Sequence, residues 1–463
     1  MKKLILFISL CFPCFVFAQI IQRFGIGTDS FTNPGQGIVK TVFVDSSNNM
    51  LYAGGSFEYA GGILSYGIAK WDGNTWDSLS CGIRRFVGSG ISEGVLDIEK
   101  FGEDLVICGN FTKAGGKPIQ GIARWNGTEW FDVGGSAGGA IYQMEVYNDE
   151  LYVVGSFLNI GGIPSKGIAK WNGTFWTDLS QNFESYCGLN STLYLYTLLH
   201  YKGDLYVSGN TNCDVGATND RVSKRLGNQW VQVGPGLIGG LAWINKLSIF
   251  QNKLYVGGNF STQYNNPDNN IYYLDGNLAY PTAGGVLPVS VWNMFEYEQE
   301  LYVCGQFVVA GGDSVGRIAK WDGVQWINTG ISINRNDGVA RFGVINSFAK
   351  YNGNLVLAGA FDMINDTLAN NIAMVNFGTT TVSFSKATKF FKLYPNPANS
   401  TFSIELSDFS YSKSISVYNA VGQLMLPQKT TEKTLDVSSY AKGMYVVEVQ
   451  TDKGISRQKL IVE

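Results

Sequence analysis

The stretch Leu151-Tyr-Val-Val-Gly-Ser-Phe157, followed by Gly161-Gly162, Gly167-Ile-Ala-Lys-Trp171-Asn-Gly173 and Trp176, decides the fold. It recurs with anchor leucines at Leu51, Leu105, Leu151, Leu205, Leu254, Leu301 and Leu355, spaced 54, 46, 54, 49, 47 and 54 residues apart. In five copies a second tryptophan (Trp76, Trp130, Trp176, Trp230, Trp326) stands 25 residues after the anchor, so the length variation falls between it and the next leucine. Fixed spacing marks a rigid unit, variable spacing a loop. Each unit parses into four strands. Strand a is an alternating run such as Ile141–Tyr147, and a tight turn (Asn148-Asp149, or Asn352-Gly353 in the last copy) leads into strand b, Leu-Tyr-Val-x-Gly. Strand c is Gly-Ile-Ala-Lys-Trp, and an Asn-Gly or Asp-Gly hairpin leads to strand d around the second Trp. Four strands per ~50 residues predict the blades of a β-propeller. Helical repeats are excluded because the apolar period is two.

Seven copies predict an all-β, seven-bladed β-propeller. The last copy lacks a Trp-type strand d, and Ile21-Gln-Arg-Phe-Gly25-Ile-Gly27 resembles Trp230-Val-Gln-Val-Gly234-Pro-Gly236. The N-terminal segment is therefore favoured as the outer strand of blade seven, leaving no free edge; Thr379–Phe384 is the rival. Copies four, five and seven replace the first Trp by Arg225, Leu274 and Val375. Composition agrees. Of 463 residues, 57 are Gly, aromatics reach 14% and charged residues only 15%, against ~25% in an average globular chain. A net charge of −3 argues against nucleic acid as a partner.

Residues 1–18, MKKLILFISLCFPCFVFA, read as a signal peptide: Lys2 and Lys3, an apolar run too short to span a bilayer, and Val16-Phe17-Ala18 before the cut. The mature chain is expected to be secreted, with no integral membrane span, and monomeric. From Phe391 the repeat gives way to Leu393-Tyr-Pro-Asn-Pro-Ala398, Ile415–Gln423, Lys442-Gly-Met-Tyr-Val-Val-Glu448 and Lys459-Leu-Ile-Val, whose alternation predicts a small C-terminal β-sandwich. The expected layout is a signal peptide (1–18), propeller (19–384), linker (385–390) and C-terminal domain (391–463).

Two resemblances follow. The Gly-Gly pairs after an apolar strand and the spaced aromatics resemble kelch and galactose-oxidase-type propellers, and the phrase is similar to tandem propeller repeats of secreted bacterial proteins. The tail resembles the C-terminal sorting domain of the type IX secretion system of Bacteroidota-type bacteria, through Tyr394, Pro395, Asn396, Pro397, Gly443 and Tyr445. That resemblance implies the type IX machinery as a partner of residues 391–463 and an extracellular or outer-membrane surface location, anchored or released.

Chemistry is sparse. One histidine, His200, cannot supply a copper-radical site or a zinc site, so neither cofactor nor metal is expected, and His200 reads as a packed residue. Asp72-Gly-Asn-Thr-Trp76 is one residue short of a sialidase Asp-box and reads as the c–d hairpin. The Asn265–Asn270 loop lacks the acidic spacing of a calcium loop. No Asp/Glu pair is favoured by spacing for hydrolysis. Lys70, Arg124, Lys170, Lys224 and Lys320 repeat in strand c and are read as stems laid over tryptophans rather than a cationic ring. Of the five cysteines beyond the signal, Cys187 and Cys213 fall in loops of one face and are expected to pair; Cys108 and Cys304 read as buried and free, with Cys81 unassigned.

The expected function is a binding or adhesion module for a glycan or protein; the alternative is a carboxylate-dependent glycan-active enzyme. The non-repeating d–a connections nominate Arg84, Arg85, Phe86, Glu184, Tyr186, Trp243, Trp292, Arg335, Asp337 and Arg341 as ligand-binding residues, with no catalytic residue assigned.

Overall fold

The computed structural model describes residues 20–24, 28–29, 37–84, 94–183, 193–211, 222–234, 237–262, 270–335, 343–377, 391–406, 412–419, 425, 434–451 and 454–463. The signal segment, the rival closing strand, the linker and the Asn265–Asn269 part of the calcium-like loop lie outside these residues. The chain divides into two compact units, residues 18–378 and a unit containing residues 379–463.

Every regular element among the described residues is a strand. In the larger unit seven antiparallel four-stranded sheets follow one another along the chain. Their first strands are Ile38–Asp45, Gly94–Phe101, Ile141–Tyr147, Leu193–Tyr201, Leu237–Phe250, Val291–Tyr297 and Val344–Tyr351. Sheet seven is completed from the other end of the chain: Ile20–Arg23 pairs antiparallel with Ile372–Asn376. The favoured N-terminal segment takes the strand d position.

Seven hydrophobic clusters hold these sheets together, and each is shared between neighbours. Strand b is buried on both faces, as at Leu51–Gly55, which explains why it reads as an unbroken apolar run. The cluster around Phe24, Leu51, Trp76, Tyr351 and Val356 joins the last sheet to the first. The paired tryptophans of one blade lie 5.2–5.4 Å apart by ring centroid in four sheets. The second also reaches across to the preceding sheet: the indole N–H groups of Trp130, Trp176 and Trp230 donate to the carbonyls of Leu79, Val133 and Leu179 at 3.1, 2.7 and 2.9 Å. Trp76 makes the same bond, 2.8 Å, to Phe24, the residue after the N-terminal strand.

Among the described residues, parts of the d–a connections are strands. Segments such as Ile83–Arg84, Val286–Leu287 and Ile333–Asn334 pair with the b–c hairpin of the next sheet. The strand c lysines also differ from the expectation. Arg124, Lys170, Lys224 and Lys320 form ion pairs with Asp104, Glu150, Asp204 and Glu300 at the start of strand b, while Lys70 pairs with Asp77. The rings under Arg124, Lys170 and Lys224 are Phe131, Tyr152 and Tyr206, not tryptophans. Strand alternation puts these cations over the residue cross-strand from them, and that residue is not the Trp.

In the second unit two three-stranded sheets share one core that includes Phe391, Phe402, Ile415, Val447 and Leu460.

Candidate functional site

Each innermost strand carries a β-bulge one residue before the same position: the register shifts fall before Thr41, Asp97, Gln143, Thr197, Lys246, Asn293 and Ser347. A bulge re-aims side chains, and here it turns a polar group toward the neighbouring sheet. Asp97 accepts from Met144 N (2.7 Å), Gln143 exchanges bonds with the Leu198 backbone (3.2 Å each way), and Thr197 Oγ1 accepts from Leu247 N (3.0 Å). Asn245 donates to Val291 O and Asn293 to Asn346 O, both at 2.8 Å. Between sheets seven and one, Ser347 Oγ accepts from Val42 N (3.1 Å) and Asn346 donates to Val39 O (2.9 Å). A Thr41–Asp97 hydrogen bond links sheets one and two.

Inside this belt lies a polar cavity of about 360 Å³, lined by first strands of all seven sheets. Lys40, Tyr142 and Tyr196 sit at the bulges, with the Tyr142 and Tyr196 rings 5.4 Å apart. Asp97, Glu99 and Lys246 also line it. Burial pushes the Asp97 carboxyl above the usual carboxylate range, while the bonds from Met144 and Ile98 and the charge of Lys246 pull it back. Burial raises Glu99 as well, and the charges of Asp97 and Glu145 raise it further against Lys246. Sequence spacing gave no reason to pair these acids. Asp97 and Glu99 stand two positions apart on one strand, and Glu145 acts on Glu99 by its charge from the neighbouring sheet. Glu145 in turn binds the His200 backbone N–H (3.0 Å) and ring Nδ1 (2.8 Å). His200 is packed as expected, but against Tyr147, whose ring stacks on it at 3.8 Å.

Four of the ten nominated rim residues are described, and they stand on different parts of the larger unit. Arg84 is exposed with its guanidinium 3.7 Å over the Tyr66 ring. Trp243 is half-buried midway along the strand Leu237–Phe250, and half-buried Trp292 donates its indole N–H to Ser290 Oγ at 2.9 Å. Arg335 is half-buried just after Ile333–Asn334. Arg85, Phe86, Glu184, Tyr186, Asp337 and Arg341 lie outside the described residues, as do Cys187 and Cys213. Cys108 and Cys304 are buried and free, and Cys81 is exposed and free. Among the described residues no group of three or more His, Cys, Asp or Glu is placed to hold a metal.

In the smaller unit Asn396 grips the last strand: its side chain donates to Lys459 O (2.6 Å) and accepts from Ile461 N (2.9 Å). Tyr445 is buried and donates to Ala441 O (2.7 Å), Gly443 pairs with Val462, and Tyr394 is exposed.

Residues 392–463 match the family described as a secretion system C-terminal sorting domain. The protein is exported by the type IX system to the cell surface or the extracellular space, with this tail as its address. A 118-residue segment is 28% identical to Beta-agarase D of Zobellia galactanivorans, covering 24% of this chain and 24% of the agarase. Among solved structures the chain is similar to the extracellular domain of the hybrid two component system BT3049 from B. thetaiotaomicron (TM-score 0.49, 11% identity, 96% of this chain and 60% of that one). It is also similar to PorZ, a surface component of the type-IX secretion system of Porphyromonas gingivalis (TM-score 0.42, 13% identity, 90% of this chain and 58% of that one).

Proposed function

We propose that this protein is a secreted binding module: a closed seven-bladed propeller of the kelch or galactose-oxidase type, followed by a small β-sandwich that serves as the sorting tail. Its ligand is an extracellular glycan or protein. It engages the rim where d–a connections and b–c hairpins meet and where the innermost strands begin. The observation that carries this reading is the cavity of about 360 Å³ lined by the first strands of all seven sheets, with Lys40, Tyr142, Tyr196 and Lys246 in its wall. Aromatic faces beside charged groups suit sugar rings and polar peptide segments alike. Arg84, Trp243, Trp292 and Arg335, with the other nominated rim residues, are proposed as the surrounding contacts. The layout 1–18, 19–384, 385–390 and 391–463 and the Cys187–Cys213 pairing belong to the same proposal.

A glycan and protein-partner screen on the purified secreted protein tests it. The expected result is saturable binding without turnover. Tyr196→Ala and Lys246→Ala should each weaken binding at least about tenfold with a melting temperature within about 2 °C of the parent. Unchanged binding in both variants overturns the location. One observation favours a second reading, a glycan-active enzyme: a carboxyl biased toward its protonated form (Glu99) stands among further acids (Asp97, Glu145), the division of labour that acid–base hydrolysis needs. Release of reducing ends from a polysaccharide, abolished by Glu99→Gln, would establish that reading and displace the first.

A further inference from the structure

A second cavity, about 530 Å³, opens between sheets three and four at the end of the sheets that carries the a–b and c–d turns, opposite the proposed rim. It exists because the repeat breaks there. At the strand c position where sheets one, two, three and six place Trp71, Trp125, Trp171 and Trp321, sheet four has Arg225. Trp125 packs in the core shared by sheets one and two, and Trp171 in that shared by sheets two and three. In sheet four the guanidinium instead folds back, 5.5 Å over the Trp230 ring. It donates to Leu179 O (2.9 Å), Gly227 O (3.0 Å) and Asn228 Oδ1 (3.4 Å).

All three acceptors are neutral. Among the described residues Arg225 forms no ion pair, whereas its neighbours Lys170 and Lys224 are matched by Glu150 and Asp204. A half-buried guanidinium without a counter-charge is an unusual expense, and burial pulls it below its ordinary pKa with Asp178 acting only from a distance. Of its five N–H groups, three are committed to those acceptors, leaving two for a further partner. The same cavity is lined by Tyr147, Tyr152, Lys170 and the exposed Asn228. Tyr147 is stiffened by its stack on His200. An aromatic platform beside the uncompensated Arg225, with the acids at the cavity already matched (Glu150 by Lys170, Asp204 by Lys224), suits a sugar ring that carries a carboxylate.

We propose that the cavity between sheets three and four binds an acidic sugar residue of a carboxylated glycan, its ring against Tyr147 and Tyr152 and its carboxylate at Arg225 and Lys170. This site is independent of the rim and of any ligand held there.

Calorimetric titration of the purified secreted protein with trigalacturonate, and with galactotriose as the neutral counterpart, tests it. The expected result is binding of the acid at least about tenfold tighter than the neutral sugar, weakening as salt is raised. Arg225→Gln and Lys170→Gln should each reduce acid binding about tenfold or more, while Tyr196→Ala at the channel leaves it unchanged. Equal binding of the two sugars, or none of the acid at 10 mM, a concentration on the order of the weakest useful affinities, overturns the proposal. Full binding in a folded Arg225→Gln protein does the same. Should Arg225→Gln fail to fold, Lys170→Gln decides, since it removes only a part-exposed ion pair; full binding there is equally fatal.

Discussion

At the residue scale, the Gly-Gly pair and the second tryptophan are one device. Gly115 has φ +56°, and a Cβ placed on it would lie 2.7 Å from Trp130 Cδ1. Gly61 and Gly311 stand in the same relation to Trp76 and Trp326, at 2.6 and 2.9 Å. The glycine lets the turn adopt a left-handed conformation and lets the indole edge close against the backbone. Where the blade has no Trp the constraint relaxes: sheet seven places Asn365 and Asp366 there, at φ 46° and 60°. Gly116 also has a positive φ, +81°, but has nothing within 4 Å. Gly115→Ala should therefore cost roughly 2–4 kcal/mol, from backbone strain and displacement of a buried indole, and Gly116→Ala only about 1–2 from strain. Melting temperatures of the two variants check this. A Gly116→Ala protein that melts as low as Gly115→Ala would show that the indole contact contributes nothing.

At the element scale the innermost strand departs most from its sequence reading. The alternation of Ile141–Tyr147 marks it as a strand, but a bulge between Ile141 and Gln143 shifts the remainder by one position. Alternation alone cannot reveal that shift, because the bulge leaves the spacing on either side unchanged. The consequence is a cavity wall that carries Asp97 and Glu99, with the charge of Glu145 acting on Glu99 from the next sheet. A carboxyl whose folded pKa is raised contributes stability that is fully present below its unfolded pKa and is lost as pH climbs through the folded value. Glu99→Gln should therefore match the parent near pH 4. It should become more stable by about 1–2 kcal/mol as pH rises from the ordinary carboxylate range through neutrality. Thermal melts at pH 4, 6 and 8 follow the difference; a gap that stays constant with pH would mean that Glu99 is not held in its protonated form.

At the scale of the whole larger unit, stability depends on the two ends of the repeat array meeting. Phe24 is 1% exposed within the cluster that joins the last sheet to the first, and its carbonyl receives the Trp76 indole. Tyr351 supplies a further bond across the same junction, donating to Asn49 O at 3.2 Å. It repeats the bonds of Tyr201 to Asn252 O and Tyr297 to Gly353 O, both 2.7 Å. Deleting residues 19–24 removes a buried phenylalanine, worth ~2–3 kcal/mol, and exposes the edge of Ile372–Asn376 to other chains. Protein lacking those residues should melt at least about 5 °C lower and run partly as oligomers in size-exclusion chromatography. A monomer of unchanged stability would show that the N-terminal strand is dispensable to the junction.

The repeat, its strands and the address were legible in the sequence because each rests on local spacing. Leu105 and Trp130 stand at the fixed interval of 25 residues, and Tyr394–Pro397 carries the sorting motif within four. Period-two alternation and Asn-Gly hairpins need no partner to be read. The N-terminal strand was legible by the same means, as a stray fragment of the repeat at Ile21–Gly27. Tertiary structure alone decided what lies between blades. The Gln143–Leu198 bonds, the turn of Asp97 onto Met144, and the cavity beside Arg225 each depend on which faces meet once the strands are paired. Arg225 was visible in the sequence as a broken repeat, yet a lost tryptophan can be filled by a neighbour, as Phe377 packs against Tyr297 and Tyr302 in sheet six. Whether such a gap closes or stays open is set by packing across an interface, and no spacing along the chain encodes it.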